Sequence, residues 1–467
     1  MVFSSSVFLF VFLPIVLIVY SIVPGKLQNI WLLLSSLFFY LWGGTQFFPI
    51  IIFSILINYL GGMCLANVQN LRTRKFVLVA FVGLNILNLG YWKYTNFLVD
   101  IIRQITSFEI EMEAIILPIG ISFYTFQGVS YIIDVYRKEV EVQKNPIYVA
   151  LYICLFPQLI AGPIVRYSDI AGEIKNRKRT LDNYEQGIIR FIMGLSKKAI
   201  IANSMGAIAE PIFKAPPTEN TAAIAWIGAI AYSLQIYFDF SGYSDMAIGI
   251  GRIFGFTFPE NFNYPYISKS ITEFWRRWHI SLSTWFRDYV YIPLGGNRKG
   301  NVYVNLFIVF LLTGIWHGAN WTFIIWGIYY GIFIIVERFG KQKMNFRIPN
   351  VISHIYTLFV VVIGWVIFNA GSLKHAWQYI LSMFGLLPLG KIRFTYEWYL
   401  NNYTAFLIGV AMVASLPVGK IVWKKIEKTF PEFLQKILCY AGTGILLLIC
   451  MIYVMTSTYN PFIYFQF

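Results

Sequence analysis

Apolar segments follow one another along almost the whole chain and are separated by short polar loops. A helix needs about 20 apolar residues to cross the roughly 30 Å hydrocarbon core of a membrane. Several of the segments are too short or too polar to cross alone, and 222–253 fits either one long helix or two short ones. We therefore expect about 11 membrane-spanning helices together with re-entrant or surface helices. The segments are 7–23, 28–42, 47–66, 76–98, 115–135, 146–161, 186–205, 222–253, 302–316, 320–337, 351–370, 403–419 and 436–456.

The composition leaves little room for a large soluble domain. Hydrophobic residues make up 58% of the chain and charged residues 13%. This balance predicts an all-α polytopic membrane protein, with one membrane domain over 1–456 and a short tail over 457–467. The 4 cysteines lie in apolar runs without the spacing of metal ligands, so we expect neither a metal site nor a bound cofactor.

Basic residues lie in short loops and give the chain a net charge of +15. Loops of this kind usually face the cytoplasm, and counting spans from them places both termini outside the cell. A second interpretation, compatible with the first, is a basic vestibule that attracts a phosphorylated donor or an acidic carrier protein. Nucleic-acid binding is not expected, because the charges stand between membrane spans. The basic segments are 71–75, 175–179, 297–300, 337–347 and 420–428.

The segment from Val304 to Val336 predicts a helical hairpin interrupted at Trp316-His317-Gly318. Each arm has about 13–16 residues and is roughly 20–24 Å long, which is shorter than the hydrocarbon core. We therefore expect His317 inside the protein, with Trp316 and Asn320 lining a channel. An ionisable group at that depth indicates a functional site, and the structural alternative is a histidine that hydrogen-bonds between helices.

Aromatic residues recur at helical spacing between Ile271 and Gly300 and predict one amphipathic helix at the cytoplasmic interface. His279 lies in this stretch among Arg276, Arg277 and Arg287. The arginines could bind the phosphates of a donor or an acidic partner, or their side chains could simply extend from the membrane surface into water.

Polar residues interrupt two other apolar segments. In 222–253 they are Asp239, Ser241, Tyr243, Ser244 and Asp245, and near 158–166 they are Gln158 and Arg166. The polar residues of 222–253 either line a channel or bond between helices, and the pattern leaves both interpretations open. Gln158, a further candidate for channel lining, and Arg166 could shape the entrance for the donor.

Two long motifs resemble a known family. They are TEFWRRWHISLSTWFRDYVYIPLGGNR, which begins at Thr272, and GIWHGANW, which begins at Gly314. Together with LPIGISFYTFQGVSYIIDVYR, FPQLIAGPIVR and YFDFSGYSDMAIGIGRIFG, they resemble the membrane-bound O-acyltransferase (MBOAT) family. The likeness covers nearly the whole chain and is greatest to the bacterial branch that acetylates alginate or peptidoglycan or exports D-alanine.

The resemblance implies a fold and two site residues. The implied fold is a ring of about 11 transmembrane helices around a thin centre, with an extracytoplasmic funnel. His317 is the implied catalytic histidine, and His279 occupies the second motif position. The resemblance also implies a multi-pass protein of the bacterial inner membrane.

The last residues, FIYFQF, resemble the C-terminal motif of the DltX peptide, which works beside the D-alanine exporter. The resemblance implies that Tyr464 carries the acyl group to an extracytoplasmic transferase. A phenol with a pKa near 10 needs a base at pH 7, and His317 suits that task. Phe462, Phe465 and Phe467 would keep water from the intermediate. Aromatic anchoring at the outer interface is the alternative.

These expectations combine into an acetyl exporter of the cell envelope. Acetyl-CoA or an acyl carrier protein would deliver a thioester near Arg276, Arg277 and Arg287. An SGNH- or esterase-like transferase outside would then receive the acetyl group from Tyr464 and acetylate a wall polysaccharide. D-alanine export to teichoic acid is the alternative within the family, and a non-enzymatic transporter is the alternative outside it.

Overall fold

The computed structural model describes residues 1–106, 111–343, 348–456, 459–460 and 463. Within these ranges the regular secondary structure is entirely helical, which confirms the predicted all-α class. The chain forms two compact units, Met1–Phe191 with Ser244–Pro259 and Ile192–Tyr243 with Glu260–Phe467.

The first unit contains the helices of the N-terminal part of the chain. They are α1 (Leu13–Ile22), α2 (Gly25–Leu41), α3 (Phe48–Asn67), α4 (Leu71–Thr106), α5 (Ile121–Arg137), α6 (Pro146–Cys154), α7 (Phe156–Leu159), α8 (Tyr167–Lys175) and α9 (Leu181–Ser196), whose last five residues belong to the second unit. α3, α4 and α5 pack against one another, and the buried amides of Asn58 and Asn85 join α3 to α4 at 3.1 Å. The apolar segment 146–161 is one of those too short to span, because Leu155 leaves the helical conformation, with ψ of 111°, and divides it into α6 and α7.

The second unit contains most of the remaining helices. They are α10 (Asn203–Lys214), α11 (Ala222–Ile253), α12 (Ile271–Arg277), α13 (Ile280–Phe286), α14 (Val302–His317), α15 (Trp321–Lys343), α16 (Asn350–Asn369), α17 (Leu373–Met383), α18 (Tyr396–Tyr399), α19 (Asn402–Ala414), α20 (Val418–Thr429) and α21 (Glu432–Thr456). The segment 222–253 is thus one long helix, α11, whose last ten residues belong to the first unit.

Among the described residues, 6 helices are long and apolar enough to cross a membrane, and 7 if the bent pair α19–α20 forms one span. The long helices are Thr45–Asn67, which includes α3, together with α4, α11, α15, α16 and α21. Phe8–Ile22 and Val302–His317 are apolar but shorter. The expected count of about 11 spans is therefore not confirmed by helix length and composition.

The predicted amphipathic helix near His279 is two short helices. α12 ends at Arg277 and α13 begins at Ile280, so the expectation of one continuous helix was wrong. The apolar spacing is the same on both sides of the break, which is why the pattern alone did not reveal it. The backbone of Asn261 accepts the N–H of Ile280 at 2.9 Å, and the N–H of Asn263 donates to the carbonyl of Arg277 at 2.9 Å. A loop from before α12 therefore holds the break.

The predicted helical hairpin is confirmed as α14 followed by α15. The expectation of two short arms was wrong for α15, which continues beyond Val336 to Lys343, has 23 residues and is long and apolar enough to cross a membrane. The two helices pack with their backbones in close approach at Gly314 and Gly327. A Cβ on Gly314 would overlap the carbonyl oxygen of Phe323, and a Cβ on Gly327 would overlap that of Phe310. Small residues at such a crossing allow a close interhelical fit. This crossing fixes the end of α14, where His317 lies.

Candidate active site

His317 is the last residue of α14 and is only 3% exposed. Gly318 continues in extended backbone, and α15 begins three residues later. The Asn320 side chain accepts the N–H of Thr322 at 3.1 Å and donates to the carbonyl of Gly371 at 3.2 Å. Asn320 therefore caps α15, and this cap holds the break that places His317 inside the protein.

Three aromatic rings surround the imidazole of His317. The ring centroids of Trp326, Trp316 and Phe368 lie 4.9, 5.0 and 5.3 Å from that of the imidazole, at interplanar angles of 83°, 75° and 81°. Edge-to-face contacts of this kind are favourable and limit rotation of the ring. Because bulk water is excluded, a proton on this imidazole interacts strongly with nearby charges. The site suits proton exchange with a bound substrate.

His279 occupies the break between α12 and α13 in left-handed backbone, with φ of 44°. Its Nδ1 lies 3.1 Å from Oδ1 of Asn261, which also accepts the backbone N–H of Ser281 at 3.2 Å and its hydroxyl at 2.9 Å. Since an amide oxygen only accepts hydrogen bonds, Nδ1 carries the proton and Nε2 is the basic nitrogen. Burial lowers the pKa of His279 to about 3, so its imidazole is neutral at pH 7.

The two motif histidines lie in one aromatic cluster. The imidazole of His279 is 6.1 Å from the ring of Trp316, which in turn contacts His317. His279 also packs edge-on against Phe240 of α11, with ring centroids 4.6 Å apart. The structure thus brings together two residues from separate sequence motifs. Their roles in catalysis stay predictions.

The predicted arginine cluster is divided among separate contacts. Arg277 pairs with Glu273 of its own helix at 3.0 Å, and Arg287 pairs with Asp288 at 2.6 Å. Arg276 is exposed. Two of the three guanidinium groups are therefore already partly neutralised by carboxylates, and both Arg276 and Arg287 are exposed.

A cavity of about 220 Å³ lies among α12, α13, α14 and α15. Its walls are mostly apolar, and both Arg276 and Arg287 line it. Thr313 also lines it and stands four residues before His317, which places the two side chains on one face of α14. The cavity therefore extends from two arginines to within one helical turn of His317.

Asp239 forms an almost fully buried ion pair with Lys198. The Lys198 Nζ lies 2.5 Å from Oδ1 of Asp239, and each side chain is 2% exposed. The other oxygen, Oδ2, accepts the backbone N–H of Ile463 at 3.0 Å. Ile463 belongs to the FIYFQF motif and is itself buried. Part of the tail thus reaches the core of the second unit.

The other tail residues assigned to the acyl relay, Phe462, Tyr464, Phe465 and Phe467, lie outside the described residues. The relay therefore stays a prediction.

The remaining polar residues predicted to line a channel are buried. Ser241 and Tyr243 are each 1% exposed. Asp245 accepts a hydrogen bond from Nε of Arg190 at 2.9 Å, and the Gln158 amide donates to a backbone carbonyl at 2.6 Å. The contacts of Asp245 and Gln158 agree with the interhelical bonding that the sequence left open, while channel lining stays a prediction.

Sequence reasoning did not single out Lys198, Asn261 or Phe240. Lys198 lies in the apolar segment 186–205, where a lysine needs a carboxylate partner. That signal could have linked it to Asp239. Nothing in the local sequence marks Asn261, which precedes α12 in irregular backbone. No group of three His, Cys, Asp or Glu side chains among the residues that the structure describes could hold a metal ion.

Several known proteins are similar in sequence to this chain. The chain is 41% identical to "Probable alginate O-acetylase AlgI" of Pseudomonas putida, with 100% of both chains covered. It is 33% identical to a peptidoglycan O-acetyltransferase of Helicobacter pylori, over 100% of this chain and 98% of the relative. A teichoic acid D-alanyltransferase of Bacillus subtilis is 32% identical over 55% of this chain and 70% of its own.

The membrane-bound O-acyltransferase family model matches residues 139–374, which include both histidines and the whole α14–α15 hairpin. The apolar helices agree with the multi-pass membrane character of such a protein. Sequence similarity and helical architecture thus lead to one conclusion: this chain is an acyltransferase that belongs to the membrane-bound O-acyltransferase family.

Proposed function

We propose that the protein is a membrane O-acetyltransferase that moves acetyl groups from a cytoplasmic thioester to a cell-envelope polysaccharide outside. The observation that carries the proposal is the burial of His317 at the hairpin break, in the aromatic cluster that it shares with His279. Full-length similarity to an alginate O-acetylase and to a peptidoglycan O-acetyltransferase supports acetyl as the group and a polysaccharide as the final acceptor.

In the transfer step, the phenol oxygen of Tyr464 bonds to the acetyl carbon of the thioester. His317 takes the phenol proton, because a phenol with a pKa near 10 is otherwise a weak nucleophile at pH 7. The carbon–sulfur bond breaks, and the proton passes from His317 to the departing thiolate. The products are an acetyl ester on Tyr464 and a free thiol. His279 supplies a neutral imidazole that helps to hold Trp316 beside His317.

The cavity beside α12 is the proposed donor site. Its apolar walls suit the pantetheine arm of acetyl-CoA or of an acyl carrier protein, and Arg276 and Arg287 suit the phosphates or carboxylates of such donors. The cavity reaches Thr313 and so leads toward His317. Arg277, which pairs with Glu273, stabilises α12.

The protein is proposed to lie in the bacterial inner membrane with both termini outside. The basic segments support this orientation by the positive-inside rule. A separate SGNH- or esterase-like transferase outside the cell then moves the acetyl group from Tyr464 to a polysaccharide hydroxyl. Tyr464 recovers its proton in this step. Because an aryl ester is more activated than an alkyl ester, this second transfer is downhill.

The test is mass spectrometry of the purified protein after incubation with isotope-labelled acetyl-CoA. We expect labelled acetyl on Tyr464, and no label after Tyr464→Phe. His317→Ala should lower the labelling rate by about 10² or more, as expected for loss of a general base. His375→Ala is the matched control, since His375 lies on α17 outside both motifs, and it should label like the wild type.

The outcomes separate the candidate donors and roles. Label from a charged acyl carrier protein but not from acetyl-CoA would change the donor and keep the mechanism. Label from a D-alanyl donor would favour D-alanine export, the activity named for the Bacillus subtilis relative. Acetylated polymer without any ester on Tyr464 would contradict the relay.

A further inference from the structure

The tail amide of Ile463 completes the coordination of a buried carboxylate. Burying Asp239 and Lys198 is costly unless their polar atoms find partners. Lys198 binds Oδ1, and the Ile463 N–H binds Oδ2 at 3.0 Å. A hydrogen bond to an ionised carboxylate is about twice as strong as one between neutral groups. The ion pair thus offers the tail a specific attachment point.

Tyr459 and Asn460, which precede Ile463 in the tail, also bind the second unit. Both of them contact residues of α10. The Tyr459 hydroxyl donates to the carboxylate of Glu210, and Nδ2 of Asn203 lies 3.5 Å from Oδ1 of Asn460. Asn203 and Glu210 are seven residues apart and so lie on one face of the helix. Gly206 stands between them, and a Cβ there would come within 2.8 Å of the Tyr459 hydroxyl. Tyr459 and Asn460 therefore lie along this face of α10.

The attachment point adjoins the histidine cluster. Asp239 is followed on α11 by Phe240, whose ring packs against His279. Ile463 belongs to the same buried hydrophobic cluster as Trp326 and Phe368, two of the rings around His317. A tail fixed at Ile463 is therefore fixed in the same hydrophobic core as the proposed reaction site.

We propose that Asp239, with its charge balanced by Lys198, is a positioning residue that docks the tail through the backbone of Ile463 and so presents Tyr464 for acetylation. Consecutive Cα atoms are about 3.8 Å apart, so a fixed Ile463 restricts where the next residue can go. The positioning role rests on the proposed function, whereas the docking itself does not.

The test compares two double variants of the full chain in which both buried charges are removed. Asp239→Asn with Lys198→Met keeps a side-chain oxygen that can accept the Ile463 N–H. Asp239→Leu with Lys198→Met has no such acceptor. Neither variant leaves an unpaired buried charge, which would itself destabilise the protein. Hydrogen exchange of the tail peptide reports docking, and labelling of Tyr464 from labelled acetyl-CoA reports positioning.

We expect the leucine variant to exchange the Ile463 amide about two- to tenfold faster than the asparagine variant, since only the asparagine variant keeps a neutral acceptor for this N–H. Its rate of Tyr464 labelling should fall by a similar factor, while the asparagine variant retains most of the rate. Thermal unfolding checks that both variants fold. Asp245→Leu with Arg190→Met removes another ion pair that involves α11 and should leave exchange at Ile463 unchanged.

The results distinguish docking of the tail, the positioning role of Asp239 and the proposed function. Equal protection of Ile463 in the two double variants would overturn docking. Lost protection with unchanged labelling would overturn the positioning role and leave the proposed function intact. A wild type that no thioester labels on Tyr464 would overturn the proposed function and the positioning role together, while exchange would still decide whether Asp239 docks the tail.

Discussion

At the residue scale, the environment of His279 depends on a contact that no local pattern encodes. The aromatic spacing around it continues through the break between α12 and α13, and it predicted one helix for that reason. The break exists because Asn261 binds Nδ1 of His279 and both the N–H and the hydroxyl of Ser281. Lys198 and Asp239 form a similar case, since their pairing joins separate helices. His317 was predictable because its own neighbours interrupt an apolar run.

Titration of His279 should make the stability of the protein depend on pH. Burial lowers its pKa from 6.5 to about 3, so below pH 6.5 the unfolded chain binds a proton that the folded chain does not. The contribution of the neutral His279 to the free energy of unfolding is complete above that pH. It is lost as the pH falls, by up to about 2 kcal/mol between pH 7 and pH 5. Thermal unfolding in detergent at these two pH values measures the loss.

His279→Asn is the control variant for this pH experiment, because Asn does not titrate and tolerates the left-handed backbone of this position. We expect the variant to lose less stability than the wild type between pH 7 and pH 5. Identical losses in the two proteins would contradict a buried, neutral His279.

At the scale of elements, the α14–α15 hairpin was predictable and its packing was not. An apolar run interrupted at a polar residue predicted the turn, although only α14, with 16 residues, is shorter than a membrane span, since α15 has 23. The close contact of the arms at Gly314 and Gly327 depends on which faces meet, and this is not visible in the length or hydropathy of either arm. The same limit applies to 222–253, where composition allowed two short helices and the structure has one.

Gly314→Ala should disrupt the hairpin and with it the position of His317. The new Cβ would overlap a carbonyl oxygen of α15, and overpacking of this kind typically costs about 1–3 kcal/mol. Gly340→Ala is the matched control on α15, since no atom lies within 4 Å of its Cβ position. We expect a lower unfolding temperature and slower Tyr464 labelling for Gly314→Ala only. Normal stability and labelling in that variant would show that the hairpin can separate without affecting the site.

At the scale of the whole molecule, hydropathy predicts the membrane class better than it predicts the number of spans. Segments such as 146–161 are apolar because they are buried within the protein, where they form short helices. α21 is the opposite case: among its described side chains only Cys450 is buried, so its apolar surface faces outward from the chain, as lipid contact requires. Both kinds of segment have the same hydropathy, and only packing distinguishes them.

The orientation of the chain can be tested across α21. This helix has 25 residues and is therefore roughly 37 Å long, enough to cross a membrane. The basic helix α20 precedes it, and the positive-inside rule places α20 in the cytoplasm. We expect Thr456→Cys to react with a membrane-impermeant maleimide in intact spheroplasts, and Lys428→Cys to react only after the membrane is opened. Cys64 and Cys439, which are not fully buried, are first replaced by Ser.

The contrary result has a direct consequence for the mechanism. Labelling of both positions from the same side would mean that α21 does not separate them. Labelling of Thr456→Cys from the cytoplasm alone would place the start of the tail with the donor. An acetyl group on Tyr464 would then have no outward path, and the acceptor of the acyl group would have to reach the site from the funnel that the family resemblance implies.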